Sequence, residues 1–287
     1  MIAGLVLATL GAPVLNQGIV FIGGGNMAAS MIGGLLQQGH PRGRITVVEP
    51  DAARARALQA RFDIAVIAPG ADLPHHCDSF VLAVKPQQIG TVLSQLSPAP
   101  GSTIVSIAAG VRLQTLKNSL GENLHYVRCM PNTPALYGAG ISGLYASSDT
   151  PPSARQAAEN ILSACGAVCW LEREQDLDAV TAVSGSGPAY FFLLVEAMRD
   201  AGVALGLSAE TAMTLASQTC VGAARMLEQD AEDAAALRAR VTSKRGTTEA
   251  ALNHLENAGL RRTVEQALRA AHDRSQQLGD EIAAANQ

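Results

Sequence analysis

A β-prone apolar run, Ile19–Gly23 (IVFIG), passes straight into Gly23-Gly24-Gly25-Asn26-Met27-Ala28, and a helical pattern follows at once. Strand, glycine turn and helix in that order are what a dinucleotide-binding fold needs at its first crossover. In this G-x-G-x-x-A, Gly23 makes the tight turn, Gly25 lets a pyrophosphate approach the backbone, and the small Ala28 lets helix and strand pack closely. Asn26 and Met27 open the helix, whose N-terminus faces the anion. The alternation continues through candidate strands Ile45–Val48, Ile64–Ile67, Phe80–Val84, Thr103–Ile107 and Leu124–Met130, with Ile141–Tyr145 and Val168–Leu171 flanking a helix near Pro152. Short apolar runs set between helices indicate strands buried on both faces. The first half is therefore read as α/β, a Rossmann-type doubly wound sheet.

Strand signals stop after Trp170. From Gln175 the chain is Ala-, Leu- and Glu-rich, with helix-length blocks punctuated at Gly185–Pro188, Gly206–Ser208 and Lys244–Thr248. This divides the chain into a dinucleotide-binding domain at 18–172 and an all-α domain at 173–287. Phe191–Val195 and Ala212–Ala224 are apolar almost all round, whereas an outer layer of helices shows one polar face. The second domain is accordingly expected to make a subunit interface. Residues 1–17 read as an accessory extension: the segment is apolar, but it has no basic start and is broken by Gly11 and Pro13, unlike an export signal or a membrane span.

Composition narrows the partners. Hydrophobic residues at 48% against 16% charged exclude a disordered chain and allow a large core. The formal charge, 21 − 25 = −4, with no basic run and 3% aromatics, excludes a nucleic-acid binder. Five cysteines, few and odd in number, fit reduced thiols in the cytoplasm.

Cofactor choice is read at the end of the second strand. Glu49 there can accept hydrogen bonds from the adenosine ribose, which favours NADH. Alternatively, it turns away and Arg54 or Arg56 supplies counter-charge for the 2′-phosphate of NADPH. Met130, Pro131 and Asn132 end a strand at the sheet's carboxyl edge and are expected to wall the nicotinamide, with Ala108 and Ala109 leaving room for the ring.

Four further segments carry a resemblance: Leu82-Ala83-Val84-Lys85-Pro86-Gln87, Arg128 to Ala135 (RCMPNTPA), Asp178 to Met198, and Val241-Thr242-Ser243-Lys244-Arg245-Gly246-Thr247-Thr248. With the glycine turn, their order closely resembles the Δ1-pyrroline-5-carboxylate reductases over residues 18 to about 280. The resemblance implies NAD(P)H-dependent reduction of a cyclic imine to L-proline, with NADPH the usual donor, and a homodimer whose helical domains interlock around sites shared between subunits. Family members also build rings of dimers. It further implies that Ala83, Val84, Lys85 and Pro86 line the nucleotide by their backbone, and that Thr248 contacts the imine nitrogen. Ser243 matches a neighbouring polar position.

Read from the residues, Gly246, Thr247 and Thr248 open a helix whose free N–H groups suit a carboxylate. Arg245 stands where most relatives have a second glycine, so a positive φ there would strain the loop by about 1 kcal/mol or more. Rival readings are a hydroxyacid dehydrogenase, which needs a helix-borne lysine where this half has only Lys244, and a non-catalytic nucleotide-binding protein. His75-His76-Cys77 reads as a solvated loop rather than a metal site. Cys165 and Cys169 read as packing residues, and Tyr190, Phe191 and Phe192 as core or interface.

Overall fold

A computed structural model of the chain describes residues 17–74 and 77–285. The N-terminal extension up to residue 16 and the pair His75-His76 lie outside the described residues. The eight expected strands form, with bounds shifted by two residues at most: β1 (Ile19–Ile22), β2 (Ile45–Val48), β3 (Ala65–Ile67), β4 (Ser79–Leu82), β5 (Thr103–Ser106), β6 (His125–Met130), β7 (Gly140–Tyr145) and β8 (Gly166–Trp170). They make one sheet in the order β3-β2-β1-β4-β5-β6-β7-β8. All neighbours are parallel except β6 and β7, whose antiparallel pairing departs from an all-parallel reading. The link between them is a 3-10 turn, Thr133–Tyr137, too short for a parallel crossover. Strand order reverses between β1 and β4, which opens a crevice at the strands' carboxyl ends beside Gly23.

The helices are α1 (Asn26–Gln37), α2 (Ala52–Phe62), α3 (Ile89–Leu93), α4 (Leu113–Leu120), α5 (Pro152–Ser163), α6 (Asp176–Val180), α7 (Gly187–Ala204), α8 (Ala209–Gln229), α9 (Ala234–Arg240), α10 (Thr247–Asn257) and α11 (Leu260–Ala285). Asp51 caps α2 and Ser208 caps α8, each accepting from a backbone N–H three residues on. Alternate strand residues feed two cores. Phe21, Val47, Val105 and Val127 pack with α1, α2 and α5 on one face, whereas Val20, Phe80, Ile104 and Tyr126 pack with α3 and α4 on the other.

The chain forms two compact units, one running up to Gly185 and resuming at Ala271, the other Ser186–Ala270. The composition shift near residue 173 marks where strands give way to helices; compactness divides later. The reason is packing. Val180 lies against Gly143 of β7, and Met130 Cε sits where a Cβ on Gly185 would go. The end of α11 returns to the sheet unit, where Ser275 donates to Asp178 at 2.7 Å and Gly279 packs on Gly110.

His40, buried in the first unit, carries a pH dependence. Desolvation pushes its pKa below the ordinary 6.5, against a weaker opposing pull from the Gln17 backbone. Its contribution to stability is therefore full above that value and is lost as pH falls through it toward the lowered folded one, because only the unfolded chain takes up the proton in that window. The melting temperature is expected to drop between about pH 7.5 and 5.5, with a shallower drop in His40→Gln. Equal slopes would show that His40 is not the group responsible.

Candidate active site

Gly23 leaves β1 at φ 97 and donates its N–H to Val48 O at 2.9 Å. A Cβ there would stand 2.7 Å from Ala83 O and 2.9 Å from Val84 Cγ1, so both the left-handed backbone and the close approach require glycine. Ala83 and Val84, following β4, thus press on the turn from the neighbouring strand end. Gly25 is the N-cap of α1 and no side chain caps the helix. Space is open around Gly25, and Ala28 is fully buried beneath. The opening amides of α1, at Asn26 and Met27, therefore suit a pyrophosphate.

Beside this cradle lies a cavity of about 580 Å³, lined by Gly23, Val48, Pro50, Leu73, Val84 and Thr91 among others. Its size and largely apolar walls suit the adenosine half of a dinucleotide. Lys85 is exposed and caps the 3-10 turn Pro86–Gln88, so the lysine sits at the rim and Pro86 opens the turn, as its fixed φ favours.

Glu49 does not present its carboxylate to a ribose. The side chain is only 2% exposed and is turned in under the glycine turn. One oxygen accepts from Gly24 N–H and the other from Asp51 N–H, both at 2.8 Å. Of the two arrangements open to the sequence, the acid adopts the one that faces away, because two backbone donors capture it.

On the other side of β1, Met130 is half-buried while Pro131 and Asn132 are buried. Asn132 spends its amide on structure: Oδ1 accepts from Ile141 N–H at 2.9 Å, and Nδ2 donates to Ser184 O at 3.2 Å. It ties the strand end to β7 and to a π-helical turn at Thr181–Gly185, a rare feature often found at functional sites. Ala108 buries its methyl in the second core, which leaves the half-exposed Ala109 as the residue with room beside it.

Sequence reasoning left Arg128 and Glu174 without a role. Glu174 Oε1 lies 2.7 Å from Arg128 Nη1 and accepts from Leu113 N–H at 2.7 Å, which joins β6, the start of α4 and the segment after β8. A charged residue inside the apolar run of β6 was the available signal, since a buried arginine needs a partner.

In the helical unit, α10 begins as expected. Gly246 is its N-cap, no side chain caps it, and Thr247 and Thr248 form its first turn. A Cβ on Gly246 would run into Ser243 Oγ, so Ser243 folds over the cap and supports the loop. Arg245 adopts φ 57, the left-handed conformation that costs a side-chain-bearing residue about 1–2 kcal/mol. Its N–H donates to Glu249 Oε2 at 2.6 Å, and this reach-back offsets part of the strain. Thr248 is half-buried and Lys244 and Arg245 are exposed.

All five thiols are free. Cys165 is a packing residue whose burial pushes its pKa up to about 12, and burial likewise raises Cys129. Cys169 instead is exposed in β8, an edge strand covered on one side only, so the packing role expected for it fails. Among the described residues there is no group of three or more candidate metal ligands.

Sheet order, glycine cradle and a separate helical unit define a class, the Rossmann-type oxidoreductases that use a nicotinamide dinucleotide. Residues 18–110 match a family model described as NADP oxidoreductase coenzyme F420-dependent, and residues 174–278 match pyrroline-5-carboxylate reductase dimerisation. A pyrroline-5-carboxylate reductase of Pseudomonas aeruginosa is 49% identical over 92% of this chain and 97% of its own length. One from Pasteurella multocida is 42% identical over 91% and 98%. The solved reductase of Coxiella burnetii superposes with a TM-score of 0.86 at 37% identity, covering 92% of this chain and 99% of that one. That of Plasmodium falciparum, with NADP bound, gives 0.80 at 29%, covering 93% and 100%. The chain belongs to the pyrroline-5-carboxylate reductase family.

Proposed function

We propose that this protein reduces L-1-pyrroline-5-carboxylate to L-proline with NAD(P)H, the last step of proline biosynthesis. The observation that carries the reading is the start of α10, where helix amides unclaimed by any capping side chain stand next to the Thr248 hydroxyl. The substrate offers a carboxylate and an imine nitrogen. The amides at Thr247 and Thr248 bind the first, as helix N-termini bind anions, while Gly246, whose own N–H donates to Ser243 O at 3.0 Å, lets the carboxylate approach the cap. Thr248 Oγ1 meets the second, donating to a neutral imine or accepting from its protonated form. The bound nicotinamide supplies hydride to the imine carbon. The chain's own work is orientation: Gly23, Gly25, Asn26, Met27 and Ala28 hold the pyrophosphate, while Ala83 to Pro86, Ala109 and Met130 to Asn132 shape the groove along the strand ends.

The working enzyme is a homodimer in the cytoplasm. Support comes from the dimerisation model matched to residues 174–278, from the exposed apolar surface of α7, and from the five free thiols. The stretch Asp176–Ala204 is long and apolar enough to cross a membrane by length and composition, and we assign that apolarity to the subunit interface.

The test is oxidation of NADPH or NADH by the purified protein with pyrroline-5-carboxylate, scored by proline formed. Turnover is expected with at least one donor. A folded protein that yields no proline with either would overturn the assignment.

A further inference from the structure

The amino ends of the central strands carry a polar row that no step of the proposed reaction uses. Ser79, Thr103 and His125 open β4, β5 and β6, and parallel pairing sets Ser79 beside Thr103 and Thr103 beside His125. Two residues further along each strand stand Val81, Val105 and Val127, which pack in the same core as Ala158 and Ile161 of α5. Alternate residues of a strand share a face, so the three polar side chains point toward α5 as well. The glycine cradle lies at the opposite, carboxyl ends of these strands.

Above the row the packing is open. A cavity of about 400 Å³ is lined by the row, by Ser102 and by Ser153, Ala154 and Ala157 of α5. Ser79 is only 1% exposed, yet its Oγ has no hydrogen-bond partner among the described residues. A buried hydroxyl without a partner destabilises the fold, and a ligand that enters the cavity and accepts from it removes that penalty.

The start of α5 adds a second kind of donor. Pro152 holds the first helical position and has no N–H, no side chain caps the helix, and the Ser153 N–H has no acceptor among the described residues. Asp78, an exposed acid at the rim, accepts from Gly18 N–H at 2.9 Å, and Asp149 near His125 is offset by Lys117. The groups that remain can all donate, beside a helix end that favours negative charge.

We propose that this amino-end cavity binds a phosphate group, held by the hydroxyls of Ser79 and Thr103, the His125 imidazole and the Ser153 N–H. The same donors serve the free ion and the phosphate of a small ester, and the test separates the two.

Proton NMR of the histidine imidazoles reads the site directly. The resonance missing from His125→Gln assigns it, which keeps the readout local wherever else an anion binds. Inorganic phosphate is expected to shift that resonance to saturation, and sodium chloride at equal ionic strength is not. Glycerol 1-phosphate that binds about tenfold more tightly than inorganic phosphate would support the proposal with an ester as occupant; equal or weaker binding beside a saturating inorganic phosphate would support it with the free ion. Ser79→Ala and Thr103→Val should each weaken phosphate about tenfold. In phosphate-free buffer, Ser79→Ala should melt no lower than the wild type, because it removes an unpaired hydroxyl, whereas a serine bonded within the fold would lower the melting temperature. A His125 resonance indifferent to phosphate would overturn the proposal, as would a Ser79→Ala variant that binds phosphate as the wild type does.

Discussion

Thr248→Ala is expected to lower kcat/KM for pyrroline-5-carboxylate by about one to two orders of magnitude. One oriented hydrogen bond at the reacting nitrogen is worth about 1–3 kcal/mol, and the loss should fall mainly on kcat if the bond strengthens as the nitrogen becomes an amine. The position makes the variant a clean test. Thr248 is the second residue of α10 and Gly246 is the cap, so the hydroxyl is not what holds the helix start. The melting temperature should therefore move little. Thr248→Ser, which restores a hydroxyl on a less restricted side chain, should recover most of the activity. Wild-type rates in the alanine variant would remove Thr248 from the chemistry and leave the carboxylate site, built from amides, as the whole of the substrate contact.

Much of this architecture is legible in the residues because each strand is a short apolar run bounded by a break, and each break has a physical cause. Gly23 is recognisable because only glycine tolerates φ 97 with Ala83 O so close. What the sequence does not reveal depends on partners brought in from a distance. Whether Glu49 reaches outward or folds under the turn is decided by the Gly24 N–H, 25 residues away. Asn132 stands at a strand end and looks like a ligand, yet its amide is taken up by Ile141 and Ser184. The late division between the units has the same origin, since an all-helical composition cannot show that Ser275, Gly279 and Ile282 bury themselves in the sheet unit. Periodicity reports burial; it does not name the surface that provides it.

The second large effect expected is on assembly. Phe191, Phe192, Leu193 and Leu194 are 60%, 69%, 66% and 56% exposed in the single chain. Four consecutive residues at about 100° each span about 300° of a helix, so this turn of α7, which packs along α8, stays uncovered on most of its circumference and one flat contact cannot bury it. Soluble monomers rarely expose apolar patches beyond a few hundred Å². A second chain that interlocks with this helix removes the problem, and the described units then gain their stability from association. The wild type should be a dimer at micromolar concentration, with a melting temperature that rises with protein concentration. Phe192→Glu combined with Leu193→Glu should abolish the dimer, since each uncompensated buried charge costs about 3–5 kcal/mol and the interface holds every substitution twice. The same protein should lose cooperative melting and turnover together, because without the partner the apolar helices have no cover. Phe192→Leu, which keeps the apolar volume closer, should remain a dimer at the same concentration. A wild type that runs as a monodisperse monomer and melts cooperatively would refute the assignment of α7 to the interface, and the exposed phenylalanines would then need a different occupant.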